Sequence, residues 1–247
     1  MPDVILLCGG AGLRLRSVTG DGPKAMASIA GRPFLELLLR QVRRNGFRRV
    51  ILAVGYQKDV IRSTFGERAF DVSLEYSEEQ SPLGTGGALR NAADLIRSDA
   101  ALIMNGDSYT DADLFAFGAD FHQTKPDISV IGVPADGRND CGLVSVGPER
   151  NVLRFKEKQS MSGPKYINAG IYMATQSILR EIPPARQISL EEELLPDWLA
   201  EGKSIRAFIS EGRCIDIGTP ERYRSAQDIL ANVEGEGIAP RFGSQSS

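Results

Sequence analysis

The stretch VILLCGGAGLRLR, from Val4 to Arg16, decides the fold class of this chain. Its apolar first part predicts a short buried strand, and a glycine-rich turn follows that strand directly. Because glycine has no Cβ atom, such a turn lets backbone N–H groups approach phosphate oxygens closely. Arg14, Arg16 and Lys24 then add positive charge that a neutral surface turn would not need. The sequence therefore predicts an α/β protein whose first strand leads into a polyphosphate-binding loop.

This loop differs from two common phosphate-binding motifs. No GKS or GKT follows the glycines, so it is not a Walker loop. Leu15 occupies the place of the last glycine in the dinucleotide-binding pattern GxGxxG. The phosphate-binding hypothesis depends on the glycines together with the basic residues, and on neither alone.

The rest of the chain alternates short β-branched runs with longer amphipathic runs, a pattern typical of a mostly parallel sheet covered by helices. We predict strands at 4–7, 50–54, 73–76, 101–105, 128–133, 142–146, 152–156 and 167–173. We predict helices at 34–45, 58–65, 86–96, 113–124, 176–182, 190–201 and 220–231. The expected fold is α/β and Rossmann-like, a mostly parallel mixed sheet flanked by helices in a single domain. We expect the catalytic domain to span 1–233 and the Gly- and Ser-rich segment 234–247 to be a disordered tail.

Composition excludes several classes of function. The 29 basic and 32 acidic residues give a net charge of −3, which argues against a nucleic-acid partner. The only histidine, His122, excludes sites built on two or three histidine ligands, and no GxSxG motif is present. The three cysteines are far apart and fit reduced thiols. With no signal peptide and no apolar run long enough for a membrane helix, we expect a cytoplasmic protein without a membrane partner.

One acidic position is a candidate for ligand binding. Asp107 follows a predicted strand within Asn105-Gly106-Asp107, and the carboxyl ends of parallel strands face the crevice where open α/β sheets bind ligands. A further pair, Asp111 and Asp113, forms a DxD that would suit a glycosyltransferase, but a helix cap is the simpler interpretation.

Taken in order, these motifs resemble those of the sugar-phosphate nucleotidyltransferases, which join a nucleoside triphosphate to a sugar 1-phosphate. Leu7 to Leu15 and Pro23-Lys24 fit the family pattern of a leucine, GGxGxRL and a later Pro-Lys pair. Two residues depart from it: Leu13 stands where Ser or Thr is usual, and Ala25 where proline often follows. The resemblance implies a GT-A-like nucleotidyltransferase fold, a Mg²⁺ cofactor and both substrates as partners, and it leaves a homodimer open.

The same resemblance implies roles for individual residues. The implied catalytic residues are Arg14, Lys24 and Asp107, and the implied Mg²⁺ ligands are Asp107 and Asp216. The implied nucleotide-binding residues are Leu7, Gly9, Gly10, Ala11, Gly12, Glu79, Leu83, Gly84 and Thr85. The implied sugar-phosphate-binding residues are Gly142, Glu157, Lys158 and Asn168.

Within this family, the chain looks most like the D-glycero-α-D-manno-heptose 1-phosphate guanylyltransferases. The segments GRPFLE, from Gly31 to Glu36, and Val54-Gly55-Tyr56 carry that similarity. It implies GTP as the nucleotide and a role in making capsule or another surface polysaccharide. Mannose 1-phosphate guanylyltransferases and N-acetylmuramate 1-phosphate uridylyltransferases are alternatives. A glycosyltransferase and an inactive nucleotide-sugar-binding regulator are alternatives from other classes.

Overall fold

The fold is taken from a computed structural model that describes residues 1–135, 142–157 and 165–231, with the backbone alone for Lys156, Glu157 and Lys165. Lys158 and the segment 234–247, both subjects of predictions above, lie outside the described residues.

The strands occur in this order: β1 Asp3–Leu7, β2 Ser28–Ile29, β3 Arg32–Pro33, β4 Arg49–Val54, β5 Arg68–Ala69, β6 Val72–Glu78, β7 Ala100–Asn105, β8 Ser108–Thr110, β9 Ile128–Pro134, β10 Gly142–Val146, β11 Val152–Glu157, β12 Lys165–Thr175, β13 Ile205–Ile209 and β14 Cys214–Asp216. The α-helices are α1 Arg16–Thr19, α2 Phe34–Arg44, α3 Lys58–Phe65, α4 Gly84–Ala93, α5 Leu114–Thr124, α6 Gln176–Glu181, α7 Leu195–Ala200 and α8 Pro220–Ala231. A π-helical turn, Leu190–Leu194, leads directly into α7.

A parallel core of four strands, in the order β7-β1-β4-β6, positions the site. The long strand β12 pairs antiparallel with β7 and extends the sheet, and it also pairs with β9 and β10. The pairing of β12 with β9 shifts register between Asn168 and Tyr172, where Gly170 has a positive φ of 69°. The expected mostly parallel mixed sheet in a single domain is confirmed.

Helices cover both faces of the parallel strands, so these strands are buried on both sides. Val4 and Leu6 of β1 point into one apolar cluster, and Ile5 points into the other. This alternation follows from the two-residue period of a strand. Continuous apolar runs such as 4–7 are therefore required by the fold.

Most predicted elements are present, and the differences have local causes. Helix α4 begins two residues before the predicted start, at Gly84, whose φ is +70°. The predicted helix 190–201 divides into the π-helical turn and α7, with proline in the first turn of α7, a position that needs no backbone N–H donor. Asp113 caps α5 as expected, since its Oδ1 accepts a hydrogen bond from the N–H of Ala116 at 2.9 Å.

Candidate functional site

A cavity of about 880 Å³ opens at the carboxyl ends of the parallel strands. Leu7 at the end of β1, Gly55 after β4, Glu79 after β6 and Asn105 at the end of β7 all line it. Ligands of open α/β sheets bind in this position, because the loops that leave the strands surround one shared crevice. The cavity is thus the candidate site.

The glycine-rich loop forms one wall of this cavity. Gly9, Gly10, Ala11, Gly12 and Arg14 line it, together with Lys24. The loop folds back on itself, since the N–H of Lys24 donates to the carbonyl oxygen of Gly10 at 3.3 Å. Gly12 has a φ of +59°, and a Cβ there would lie 3.1 Å from the Cβ of Lys24. Because glycine has no Cβ atom, Lys24 can pack closely against the loop at this position.

The two basic residues of the loop differ in their surroundings. Lys24 is mostly buried, and its Nζ donates to Oδ2 of Asp107 in an ion pair. Arg14 is exposed and makes no ion pair within the described part of the chain. Both face the cavity, so a polyphosphate bound there would meet two positive charges.

The two candidate metal ligands are brought together from distant parts of the chain. Strand β14 pairs antiparallel with β8, which places Asp216 opposite Ser108, the neighbour of Asp107. A Cβ on Gly218 would lie 2.9 Å from Oδ1 of Asp216 and 3.6 Å from Nζ of Lys24. Since Lys24 also binds Asp107, all three charged side chains belong to one cluster at the rim of the cavity.

The cluster offers two carboxylates, from Asp107 and Asp216, to a metal ion. Among the described residues, no group of three or more His, Cys, Asp or Glu side chains could hold a metal by itself. Mg²⁺ usually takes one or two protein carboxylates and completes its coordination with substrate phosphates and water. Asp107 and Asp216 beside the glycine-rich loop match that requirement, so the donor set fits Mg²⁺ bound together with substrate phosphates. The Asp216 carboxylate is meanwhile bound by Nη1 of Arg222 at 2.8 and 2.9 Å.

Residues 79–87, the candidate base-binding loop, contribute another part of the cavity wall. Oε2 of Glu79 accepts a hydrogen bond from the N–H of Leu83 at 3.1 Å, and burial raises the pKa of the Glu79 carboxyl. A Cβ on Gly9 would lie 3.2 Å from Oε1 of Glu79, a tight contact that glycine at this position avoids. Glu79, Gly84 and Thr85 line the cavity, whereas Leu83 does not.

Of the candidate sugar-binding residues, Gly142 and Asn168 are fully described, and neither lines the cavity. Gly142 starts β10 and pairs with Glu157 in β11. Asn168 lies in β12 beside the register shift, where its Nδ2 donates to the hydroxyl of Tyr172 at 2.7 Å. A Cβ on Gly170 would lie 2.5 Å from Nδ2 of Asn105, a residue that does line the cavity. Asn168 is therefore near the cavity without forming its wall.

Sequence reasoning missed Glu191, which lies between these two regions. Its Oε2 accepts a hydrogen bond from Oγ1 of Thr85 at 2.7 Å, and its Oε1 accepts one from the hydroxyl of Tyr172 at 3.2 Å. The sequence gives no indication that Glu191 connects Thr85 with Tyr172. Glu191 is one of three consecutive glutamates at a predicted helix start, where acidic residues are common.

Two other groups near the site are accounted for by the structure. Burial, with a smaller effect from Asp107, raises the pKa of the Cys8 thiol to about 12, so Cys8 is not a nucleophile at neutral pH. Asp111 pairs with Nε of Arg213 at 2.9 Å, and Asp113 caps α5. The DxD carboxylates therefore already have structural partners.

No helix in the described ranges is long and apolar enough to cross a bilayer.

The comparisons with known proteins agree with this geometry. A nucleotidyl transferase family model matches residues 3–233. The D-glycero-alpha-D-manno-heptose 1-phosphate guanylyltransferase of Aneurinibacillus thermoaerophilus is 36% identical over 228 residues, which cover 92% of this chain and 98% of that protein. The mannose-1-phosphate guanylyltransferase of Mycobacterium tuberculosis is 36% identical over 242 residues, 96% of this chain but only 66% of that longer protein. The crystal structure of HddC from Yersinia pseudotuberculosis complexed with GMP-PN has a TM-score of 0.82 and 33% identity, covering 93% of this chain and 100% of that one.

Proposed function

The chain belongs to the nucleotidyl transferase family, and on that premise we propose that it transfers a guanylyl group from GTP to D-glycero-α-D-manno-heptose 1-phosphate and releases pyrophosphate. The observation that carries the proposal is the cavity in which the glycine-rich loop, Lys24 and Asp107 meet a half-buried carboxylate, Glu79. The product would be a GDP-heptose for a surface polysaccharide such as a capsule, made in the cytoplasm.

The reaction is a substitution at the α-phosphorus of GTP. An oxygen of the sugar phosphate forms a new bond to that phosphorus, and the bond to the bridging oxygen of the β-phosphate breaks. Pyrophosphate leaves with the electron pair of that bond. A phosphate monoester is already ionised at pH 7, so the reaction needs no general base, and positioning with charge stabilisation suffices. The single histidine, His122, is exposed on α5, which is consistent with this chemistry.

The chain's own residues would supply most of the charge stabilisation. Backbone N–H groups of Gly9 to Gly12 would bind the phosphate oxygens, and Arg14 and Lys24 would neutralise charge that grows on the leaving pyrophosphate. Enzymes of this family generally use a divalent metal, and Asp107 and Asp216 are the residues that would hold Mg²⁺. When bound, Mg²⁺ would neutralise phosphate oxygens of both substrates.

Glu79 supports guanine as the base. The Watson–Crick edge of guanine presents two neighbouring N–H donors, at N1 and at the 2-amino group, and a carboxylate offers two acceptor oxygens. Adenine presents an acceptor at N1 and would leave one of these contacts repulsive. Glu79 lines the cavity, and its only side-chain hydrogen bond in the described residues is to a backbone N–H of Leu83, so acceptor capacity is left for a ligand.

The family resemblance supplies the proposed sugar-binding residues. Asn168, Glu157 and Gly142 would contact the sugar, and Lys158 would bind its phosphate. Gly142 and Asn168 lie on β10 and β12, which pair antiparallel with each other in the extended half of the sheet. Mannose 1-phosphate is the second candidate acceptor, since the Mycobacterium tuberculosis relative is equally identical over slightly more residues.

The test is a matrix of the four nucleoside triphosphates against heptose, mannose and N-acetylmuramate 1-phosphates, scored by pyrophosphate release. We expect the highest kcat/KM with GTP and the heptose 1-phosphate. Preference for mannose 1-phosphate would select the second candidate, and preference for UTP would overturn the guanine assignment. Sugar-nucleotide cleavage without pyrophosphate would indicate a glycosyltransferase, and ligand binding without turnover would indicate a regulator.

The variant Glu79→Gln tests whether Glu79 recognises the base of the nucleotide. Glutamine keeps the size but replaces one acceptor with a donor, so kcat/KM for GTP should fall about 10-fold or more, the effect of losing a hydrogen bond to a charged group. Glu78→Gln is the matched control, because Glu78 pairs with Lys58 and Arg62 away from the cavity. Equal GTP kinetics in the two variants would refute base reading by Glu79.

A further inference from the structure

We propose that Glu191 is a positioning residue that connects the base-binding loop to β12, the strand of the candidate sugar-binding residue Asn168. One carboxylate would then orient the groups that bind both substrates. The proposal rests on the proposed function for the identity of the two regions. Glu191 is not among the described residues that line the cavity. It acts through hydrogen bonds to Thr85 in the base-binding loop and to Tyr172 in β12.

One oxygen of Glu191 holds the start of α4. Oγ1 of Thr85 donates to Oε2 of Glu191 at 2.7 Å and accepts from the N–H of Leu190 at 2.8 Å. The N–H of Gly86 donates to the carbonyl oxygen of Ile188 at 2.9 Å. The segment 188–191 therefore clamps the first turn of the helix whose N-terminus lines the cavity.

The other oxygen sets the orientation of an amide in β12. The Tyr172 hydroxyl donates to Oε1 of Glu191 at 3.2 Å, and Nδ2 of Asn168 donates to the same hydroxyl at 2.7 Å. A hydroxyl has one hydrogen, so when it donates to Glu191 its oxygen is left as an acceptor. Asn168 must then present its amino group to Tyr172, and its Oδ1 accepts from the N–H of Gly170 at 3.0 Å.

The network requires a carboxylate. Thr85 and Tyr172 both donate to Glu191, and only an ionised carboxyl offers two acceptor oxygens, whereas an amide offers one. The ring of Tyr172 is fully buried, so its hydroxyl is fixed by packing. Glu191 also lies in the π-helical turn, a rare element that occurs often at functional sites.

The neighbouring glutamates provide a matched control. Glu192 is exposed and its side chain makes no hydrogen bond within the described residues, while Oε1 of Glu193 accepts from the N–H of Ser189 at 2.8 Å. Glu192→Gln therefore removes the same charge from the same turn without touching the network. Glu191→Gln removes one acceptor and keeps the side-chain volume.

The experiment measures steady-state kinetics with GTP and the sugar 1-phosphate that the wild-type protein prefers. The variants are Glu191→Gln, Glu192→Gln, Tyr172→Phe and the double variant that combines Glu191→Gln with Tyr172→Phe. For Glu191→Gln we expect KM to rise for both substrates, about 10-fold or more for the sugar phosphate. Tyr172→Phe should raise KM for the sugar phosphate alone. The double variant should show no larger rise in that KM than Glu191→Gln, since both changes break the same connection. Glu192→Gln should match the wild type.

Each outcome decides the proposal. If Glu191→Gln matches Glu192→Gln, or if the two changes in the double variant multiply, Glu191 does not act through Tyr172 and the proposal is overturned. A wild-type protein without pyrophosphate release would overturn the proposed function instead. Should Glu191→Gln fail to fold by circular dichroism, Thr85→Val and Tyr172→Phe test each side separately, and an effect of Tyr172→Phe on GTP alone would refute the assignment.

Discussion

Gly84→Ala tests how closely the base-binding loop is fitted to the segment behind it. A Cβ on Gly84 would lie 2.5 Å from the carbonyl oxygen of Ile188, and Gly84 has a φ of +70°. The carbonyl of Ile188 cannot move freely, because it also accepts the N–H of Gly86. Alanine at this position must therefore both adopt an unfavourable backbone conformation and displace a backbone atom.

The two contributions can be estimated separately. A left-handed conformation costs a residue with a Cβ roughly 1–2 kcal/mol relative to glycine. Overpacking against a fixed neighbour costs typically about 1–3 kcal/mol. The free energy of unfolding should therefore fall by about 2–5 kcal/mol. For a chain of this size, about 2–4 °C per kcal/mol gives a decrease in Tm of roughly 4–20 °C.

Gly202→Ala is the matched control. Gly202 has a similar φ of +80°, but nothing lies within 4 Å of a Cβ placed there. It should lose only the backbone contribution, about 1–2 kcal/mol. Thermal and urea unfolding of both variants measure the difference, and steady-state assays measure the KM for GTP, which should rise for Gly84→Ala. Equal destabilisation of the two variants would refute the close contact between Gly84 and Ile188.

Two further predictions concern the charged cluster. Lys24→Ala should lower kcat by about 10²–10³-fold, the usual effect of removing a charge-stabilising donor. The KM for the sugar phosphate should change little. The control Lys58→Ala, at a residue outside the cavity, should leave kcat unchanged. A wild-type kcat in Lys24→Ala would contradict the role of Lys24. Asp107→Asn and Asp216→Asn should each reduce turnover by orders of magnitude while circular dichroism stays native, and EDTA should abolish wild-type activity until Mg²⁺ is restored. Undiminished activity in EDTA would remove the metal assignment.

The sequence was a good guide to elements that depend on local pattern. Helix α3 has the predicted bounds of 58–65, because its apolar residues Ile61 and Phe65 repeat at helical spacing and Gly66 ends it. The buried runs of β1 and β4 were also recognisable, since strands covered on both faces need continuous apolar residues.

Elements that depend on distant partners could not be predicted in this way. Strands β8 and β14 have three residues each, too few to show a period, and they exist because Tyr109 and Ile215 pair across the chain. The same holds within the site. The sequence pointed to Asp107 through its place after a predicted strand and to Asp216 through a family resemblance, but the ion pairs of these carboxylates with Lys24 and Arg222 appear only in the structure. Glu191 and Thr85 are separated by 106 positions, and no local pattern connects them.

The pairing of β8 with β14 has a consequence for how the protein is made. Residues 3–105 contain the parallel strands and the glycine-rich loop, but the second carboxylate arrives only with Asp216, more than a hundred positions after Asp107. Contacts of such long sequence separation form late, because the entropy of closing the intervening loop must be overcome first. During synthesis, an emerging chain would thus have the glycine-rich wall of the cavity before its acidic pair. Full capacity to use a nucleotide would then be acquired only in the last stage of folding, when β14 docks.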